Sequence, residues 1–219
     1  ATLSGGEVLE VDQVMFALGR LPLTSNLGLE AAGVETDANG YIKVDGYSKT
    51  NVDNLWAVGD VTNSVQLTPV AIHEAMCFVS TEFRGEPQMP DHEMIPTAVF
   101  SHPEIGTVGM TEEEAGKQFS KLHVFRANFR PMKHTLSGRD SRMLMKLIVD
   151  AETDKVVGAH VLGPDAGEMA QVLSIPMKMG CTKLDFDRTM ALHPSAAVEL
   201  VTMYDPSYTV VNGERIGAE

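Results

Sequence analysis

The sequence predicts two unlike parts: the C-terminal part of an α/β domain, then an α+β domain with an antiparallel sheet and helices packed on it. Three observations predict this. Compact apolar runs such as Leu55-Trp56-Ala57-Val58 suit strands covered on both faces, as in a parallel sheet. The proline-containing stretch 86–96 reads as a domain boundary. Beyond it, strand candidates that neighbour in sequence are joined by short turns such as 151–154, which favours antiparallel pairing.

The elements follow in order. Residues 8–18 read as a hairpin arm and then a buried strand, Val14 to Leu18, ending at Gly19-Arg20. Asp37-Ala38-Asn39-Gly40 is turn chemistry leading into a hairpin around Tyr41 to Val44. The strand at 55–58 stops at Gly59-Asp60. Thr68 suits an N-cap and Pro69 the first helical position, and Val70, Ile72, Ala75, Met76, Val79 and Phe83 supply apolar residues until Arg84-Gly85. After the boundary, strands are predicted at 97–100, 123–129, 143–150 and 156–162, and helices at 112–118, 166–179, 186–192 and 196–203. Pro176 inside the second of these helices, 166–179, should cost about 3 kcal/mol unless the helix kinks. Residues 205–219 read as a loosely held tail.

Composition bounds the function. At 219 residues, with 43% apolar and 21% charged residues, the chain has enough apolar content for a sizeable core. A net charge of −13 argues against a duplex nucleic-acid binder. Cys77 and Cys181 form no CxxC pair, so free thiols in a reducing compartment, the cytoplasm, are expected. No apolar run is long enough to span a bilayer. The histidines outside 193 show no metal-ligand spacing, and no metal is expected. The chain opens on Ala1-Thr2-Leu3-Ser4-Gly5-Gly6 and runs at once into an alternating segment, which reads as a piece of a longer polypeptide.

Two places could carry chemistry. A strand ending in Gly59-Asp60, followed within ten residues by a helix start at Thr68-Pro69, sets a hydroxyl-accepting carboxylate near free helix amides. The alternative is an ordinary capped helix after a turn. His193-Pro194-Ser195 sets an imidazole at the mouth of a short helix, with Ser195 as N-cap, where a proton-shuttling group would be useful. The alternative there is an unremarkable histidine before a helix.

In longer stretches the sequence resembles a known family. Ala57-Val58-Gly59-Asp60-Val61-Thr62 with Leu67-Thr68-Pro69-Val70-Ala71 is similar to the second FAD motif of the flavin-dependent pyridine nucleotide–disulfide oxidoreductases. Phe100-Ser101-His102-Pro103-Glu104-Ile105-Gly106-Thr107-Val108-Gly109 resembles the entrance to their interface domain. Pro131-Met132, Met145-Lys146, Gly158, Gly163-Pro164, Lys178-Met179-Gly180 and His193-Pro194 through Met203 resemble the glutathione-reductase branch.

The resemblance implies residues 1–18 as the end of an NADPH-binding domain, 19–92 as the second half of an FAD-binding domain, and 93–204 as an interface (dimerisation) domain. It implies FAD and NADPH as cofactors, a homodimer, and glutathione disulfide as substrate. Gly59, Asp60, Leu67, Thr68 and Pro69 would meet FAD, with Asp60 accepting from the ribityl chain, and Arg20 would lie near the nucleotides. His193 would be the acid–base residue acting on the partner subunit's redox disulfide, supported by Glu199. Met132 and Glu199 would line the glutathione pocket.

The sequence departs from that pattern. These residues hold no GxGxxG loop before a helix, no paired redox cysteines and no NADPH-binding βαβ unit, so by themselves they should neither hold FAD tightly nor transfer electrons. Val198 stands where the family has a glutamate bonded to the catalytic imidazole. A non-catalytic dimerisation module, and a lipoamide- or trypanothione-type reductase, remain alternative readings.

Overall fold

The computed structural model describes residues 1–217. The chain divides into two compact units, residues 1–92 and the remainder from Glu93.

The first unit holds little regular structure. Its opening residues form a tight hairpin, with Thr2 bridged to Val8 around Gly5-Gly6. The buried strand predicted at Val14–Leu18 is absent: the segment is irregular, and Met15, Phe16 and Leu18 are exposed. A strand of a parallel sheet needs hydrogen-bonded neighbours on its edges, and none lies beside it among the described residues of this unit. The strand predicted at 55–58 likewise reduces to one bridge, Trp56 to Lys49. The predicted hairpin at 41–44 does form. Asp37 Oδ1 accepts from the amides of Asn39 (2.8 Å) and Tyr41 (3.0 Å), and Thr36 pairs with Ile42. Helix α1 (Leu29–Ala32) is a single turn between two left-handed glycines, and Val34, Ile42 and Ala57 form the small core.

Residues 59–62 make a 3₁₀ turn, and helix α2 spans Thr68–Arg84. Leu67, not Thr68, is its N-cap residue, and no side chain caps it; Thr68 and Pro69 are the first two helical residues. The buried stripe is Val70, Glu74, Cys77 and Ser80. Of the apolar residues predicted to form the packed face, Ile72, Met76 and Phe83 are exposed. Both stripes run at helical spacing, and the structure buries the more polar one, where the Glu74 carboxylate finds partners in the Gly59 amide and His92.

The second unit is one seven-stranded sheet, antiparallel throughout, as the α+β prediction requires. Its elements are β1 (Thr97–Val99), β2 (Ile105–Gly109), α3 (Glu112–Gln118), β3 (Lys121–Phe129), α4 (Met132–Ser137), β4 (Met143–Asp150), β5 (Val156–Leu162), α5 (Ala166–Lys178), α6 (Lys183–Arg188), a 3₁₀ turn at 196–201, β6 (Tyr208–Val211) and β7 (Glu214–Ile216). The order across the sheet is β1-β2-β5-β4-β3-β6-β7. Strand β4 is the centre of the core. Met143, Met145, Leu147 and Val149 face α5, α6 and the 196–201 turn through Leu173, Met177, Phe186 and Leu200. Ile148 points the other way, into a second cluster with Ala115, Leu122, Val124, Tyr208 and Val210.

Strand β2 was not predicted, because its glycines read as loop. They are there for close approach. A Cβ on Gly106 would lie 2.0 Å from the Ala166 carbonyl oxygen, and one on Gly109 2.3 Å from that of Val157. Helix α6 begins at Lys183 rather than the predicted 186, set by a capping box between Thr182 and Asp185, and it ends at Arg188. Helix α5 passes through Pro176 and stops two residues later. The missing proline amide would have bonded to the carbonyl of Val172, a residue 66% exposed, so water is at hand there.

Residues 205–217 are not a loose tail; residues 218 and 219, the end of that prediction, lie outside the described residues. β6 and β7 form a hairpin that adds two strands beside β3. Tyr208 Oη donates to Glu112 Oε2 (2.8 Å), Lys146 Nζ donates to the same oxygen, and Arg215 lies 3.4 Å over the Tyr208 ring. Burial alone would raise the Glu112 carboxyl's pKa, but the hydrogen bonds from Lys146 and Tyr208 outweigh it and hold it below the ordinary glutamate value.

Two outcomes follow. Gly106→Ala should lower stability by at least about 1–3 kcal/mol in urea unfolding, since neither backbone nor helix can yield cheaply. Glu112, with its folded pKa depressed, contributes stability above its unfolded pKa and loses it as pH falls through the folded value. The destabilisation caused by Lys146→Met should therefore be present at about pH 7 and shrink toward about pH 3.

Candidate functional site

In the first unit the residues of interest converge on the start of α2. Gly59 opens the 3₁₀ turn at φ +76°, and a Cβ there would lie 2.9 Å from the Cβ of Ala71, which sits in the first turn of α2. Only glycine meets both conditions. The turn is closed by Thr62 Oγ1, which donates to the Gly59 carbonyl (2.9 Å). Asp60, next in the chain, is exposed, with no side-chain partner among the described residues. Thr68 and Pro69 are exposed and Leu67 half-buried at the uncapped N-terminus of this 17-residue helix.

The arrangement is an unspent carboxylate acceptor beside a helix terminus with its positive dipole uncompensated. It suits a ligand that offers hydroxyls to Asp60 and an electron-rich group to the helix. Arg20 is fixed through its backbone, its carbonyl accepting from Tyr41 Oη (3.0 Å), and Tyr41 Oη in turn accepts from Gln66 (3.2 Å). Its guanidinium has no partner among the described residues.

In the second unit His193 is exposed and precedes the 196–201 turn. The turn is 3₁₀ rather than the α-helix predicted for 196–203, and Leu200 and Met203 anchor its far side in the core. Ser195 occupies the N-cap position, but its hydroxyl donates back to the Leu192 carbonyl (2.7 Å) instead of accepting from the helix. That bond braces the loop carrying His193 from the other side. Glu199 is half-buried with no side-chain hydrogen bond among the described residues, and Val198 is half-buried. No hydrogen bond joins His193 to Glu199 or to Met132, which is the first residue of α4 and 59% exposed.

Neither thiol is poised for nucleophilic work. Cys77 is buried, 3.7 Å from His73 Nε2, and burial and then the nearby Glu74 push its pKa up. Burial, and then the charge of Asp185, push Cys181 up to about 11. Among the described residues no cluster of His, Cys, Asp or Glu could hold a metal ion, and no helix is long and apolar enough to cross a membrane.

Sequence reasoning missed Glu74 and His92. Glu74 is 3% exposed; its Oε2 accepts from the Gly59 amide at 2.5 Å, and its Oε1 lies 2.9 Å from His92 Nε2. The available signal was a carboxylate at the i+4 position from Val70 in a stripe that continues to Cys77.

Two family profiles match the chain. The profile of the pyridine nucleotide-disulphide oxidoreductase dimerisation domain matches residues 95–204, and the pyridine nucleotide-disulphide oxidoreductase profile matches residues 1–75. The chain belongs to the pyridine nucleotide-disulphide oxidoreductase family. It is 53% identical to the chloroplastic/mitochondrial glutathione reductase of Pisum sativum, over 90% of this chain and 36% of the relative. It is 48% identical to the glutathione reductase of Burkholderia cepacia, over 92% and 45%, and 45% identical to the trypanothione reductase of Leishmania donovani, over 94% and 42%. The solved structure of the HOCl-induced flavoprotein disulfide reductase RclA from Escherichia coli superposes with a TM-score of 0.77 at 29% identity, covering 85% of this chain and 43% of that one. The chain thus spans less than half the length of these oxidoreductases.

The thiol geometry predicts slow alkylation of both cysteines by iodoacetamide in the folded protein at neutral pH, with Cys181 accelerating only toward strongly alkaline pH. Rapid labelling of either near neutrality would contradict the burial described.

Proposed function

We propose that this chain is the C-terminal portion of an NADPH-dependent glutathione-disulfide reductase that uses FAD and works as a homodimer in the cytoplasm. The observation that carries the reading is the Gly59-Asp60 turn pinned against the uncapped start of α2, in a chain that is 53% and 48% identical to two glutathione reductases. The two unpaired thiols suit a reducing compartment. We assign residues 1–18 to the end of an NADPH-binding domain, 19–92 to the second half of an FAD-binding domain and 93–204 to the interface domain.

FAD, when bound, would carry electrons from NADPH toward a disulfide. Gly59, Asp60, Leu67, Thr68 and Pro69 would hold it, Asp60 by accepting from ribityl hydroxyls and the start of α2 by favouring negative charge. Arg20 would lie near the nucleotides. His193 would hold and deliver the proton that a leaving glutathione thiolate needs, since imidazolium and thiol pKa values lie close enough for exchange near neutrality. Met132 and Glu199 would line the pocket for glutathione. A homodimer is supported by exposed apolar residues that the sheet leaves uncovered, Val172 and Ile175 on α5 and Met179 just after it.

In the full-length chain, NADPH-dependent reduction of glutathione disulfide is the expected activity. Activity on trypanothione or lipoamide in its place would remove the substrate assignment. His193→Gln should lower kcat by about 10²–10⁴-fold. Val198→Glu should raise turnover by giving the imidazole a carboxylate neighbour, and unchanged turnover would mean that His193 needs no such partner.

A further inference from the structure

Glu74 lies outside the residues assigned to the flavin, and its environment is costly for a carboxylate. It is 3% exposed, on the stripe shared with Val70 and Cys77. A buried charge persists only where hydrogen bonds replace its lost water. Glu74 has two such partners on different segments: the backbone amide of Gly59 at Oε2 and the imidazole of His92 at Oε1.

His92 is delivered by a strap that returns along α2. Thr81 Oγ1 accepts from the Gln88 amide (3.0 Å), and the Asp91 amide donates to His73 Nε2 (3.1 Å). Met89 Sδ fills the space beside Gly46, where a Cβ would come within 2.8 Å. The strap, the helix and the 59–62 turn therefore meet at one carboxyl group.

We propose that Glu74, braced by His92, is a positioning residue for the cofactor turn: it fixes the Gly59 amide and so the direction in which Asp60 presents its carboxylate. Ala71 limits the turn by contact from one side, and Glu74 holds it by a hydrogen bond. Glu74 touches no part of the cofactor in this scheme. It acts only through the Gly59 backbone, and the inference rests on the flavin reading of Asp60 given above.

The test uses the full-length flavoprotein and measures the Kd of FAD by reconstitution of apoprotein, followed through flavin fluorescence. Glu74→Leu fills the space but leaves the Gly59 amide without an acceptor, and should raise the Kd by about tenfold or more. Glu74→Gln keeps an oxygen for that amide and should stay within about threefold of wild type. A loss of packing alone would not separate these two variants in that order. His92 is 42% exposed at its side chain, so His92→Phe keeps the fold, leaves Glu74 with one partner, and should raise the Kd by about threefold. If Glu74→Leu does not fold, the His92→Phe result stands for it. An unchanged Kd in Glu74→Leu or, in its place, His92→Phe overturns the proposal when Asp60→Ala does weaken FAD. An unchanged Kd in Asp60→Ala overturns the flavin reading, and this proposal with it.

Discussion

The second unit depends on β4 being closed on both faces. Met145, Leu147 and Ile148 have no exposed surface, and burying such side chains is worth about 1.5–3 kcal/mol each. One face can be covered only if α5 lies close to the sheet, which in turn requires the bare backbone of Gly106 beneath Ala166. The other face is covered by α3 and by the residues of the C-terminal hairpin. The 196–201 turn hangs on the same core through Leu200 and Met203. His193 thus gains its position from the anchorage of the turn that follows it.

The first unit follows a different rule. It has a small apolar core, and its order comes from polar groups that satisfy one another: Asp37 in its turn, Glu74 under the Gly59 turn, Tyr41 between Arg20 and Gln66. Exposed Met15, Phe16, Leu18, Ile72, Met76 and Phe83 are the other half of that description. Such a unit keeps its turns well defined while offering apolar surface to whatever covers it.

The sequence was informative where side-chain pattern and backbone agreed. Strands β4 and β5 and helix α3 fall where the apolar runs and the acidic first turn put them. It was misleading where a residue's purpose is set by a distant neighbour. Gly106 reads as loop until Ala166 is beside it, Val14–Leu18 reads as strand whether or not an edge is present to pair with, and Tyr208–Val211 reads as tail until β3 lies alongside. At the candidate site, Asp60 and His193 were legible as residue types in ordered motifs, whereas Glu74 was hidden because a carboxylate on a helix is ordinarily read as solvated. The N-terminal cap at Thr68 and the α-helix after Ser195 were one-residue and one-helix-type errors that local preference cannot resolve.

The C-terminal hairpin lies past residue 204, where the family profile ends. Without it, β3 would be the border of the sheet, a nine-residue strand with its outward amides and carbonyls unpaired. Borders of that kind recruit strands from other molecules. With it, Lys121–Val124 of that edge are paired, and beside them the described sheet ends at β7, three residues long, exposed and carrying Glu214 and Arg215. A short, charged rim is a poor template for cross-molecule pairing, so over those four residues the hairpin puts a less adhesive edge in place of the β3 edge.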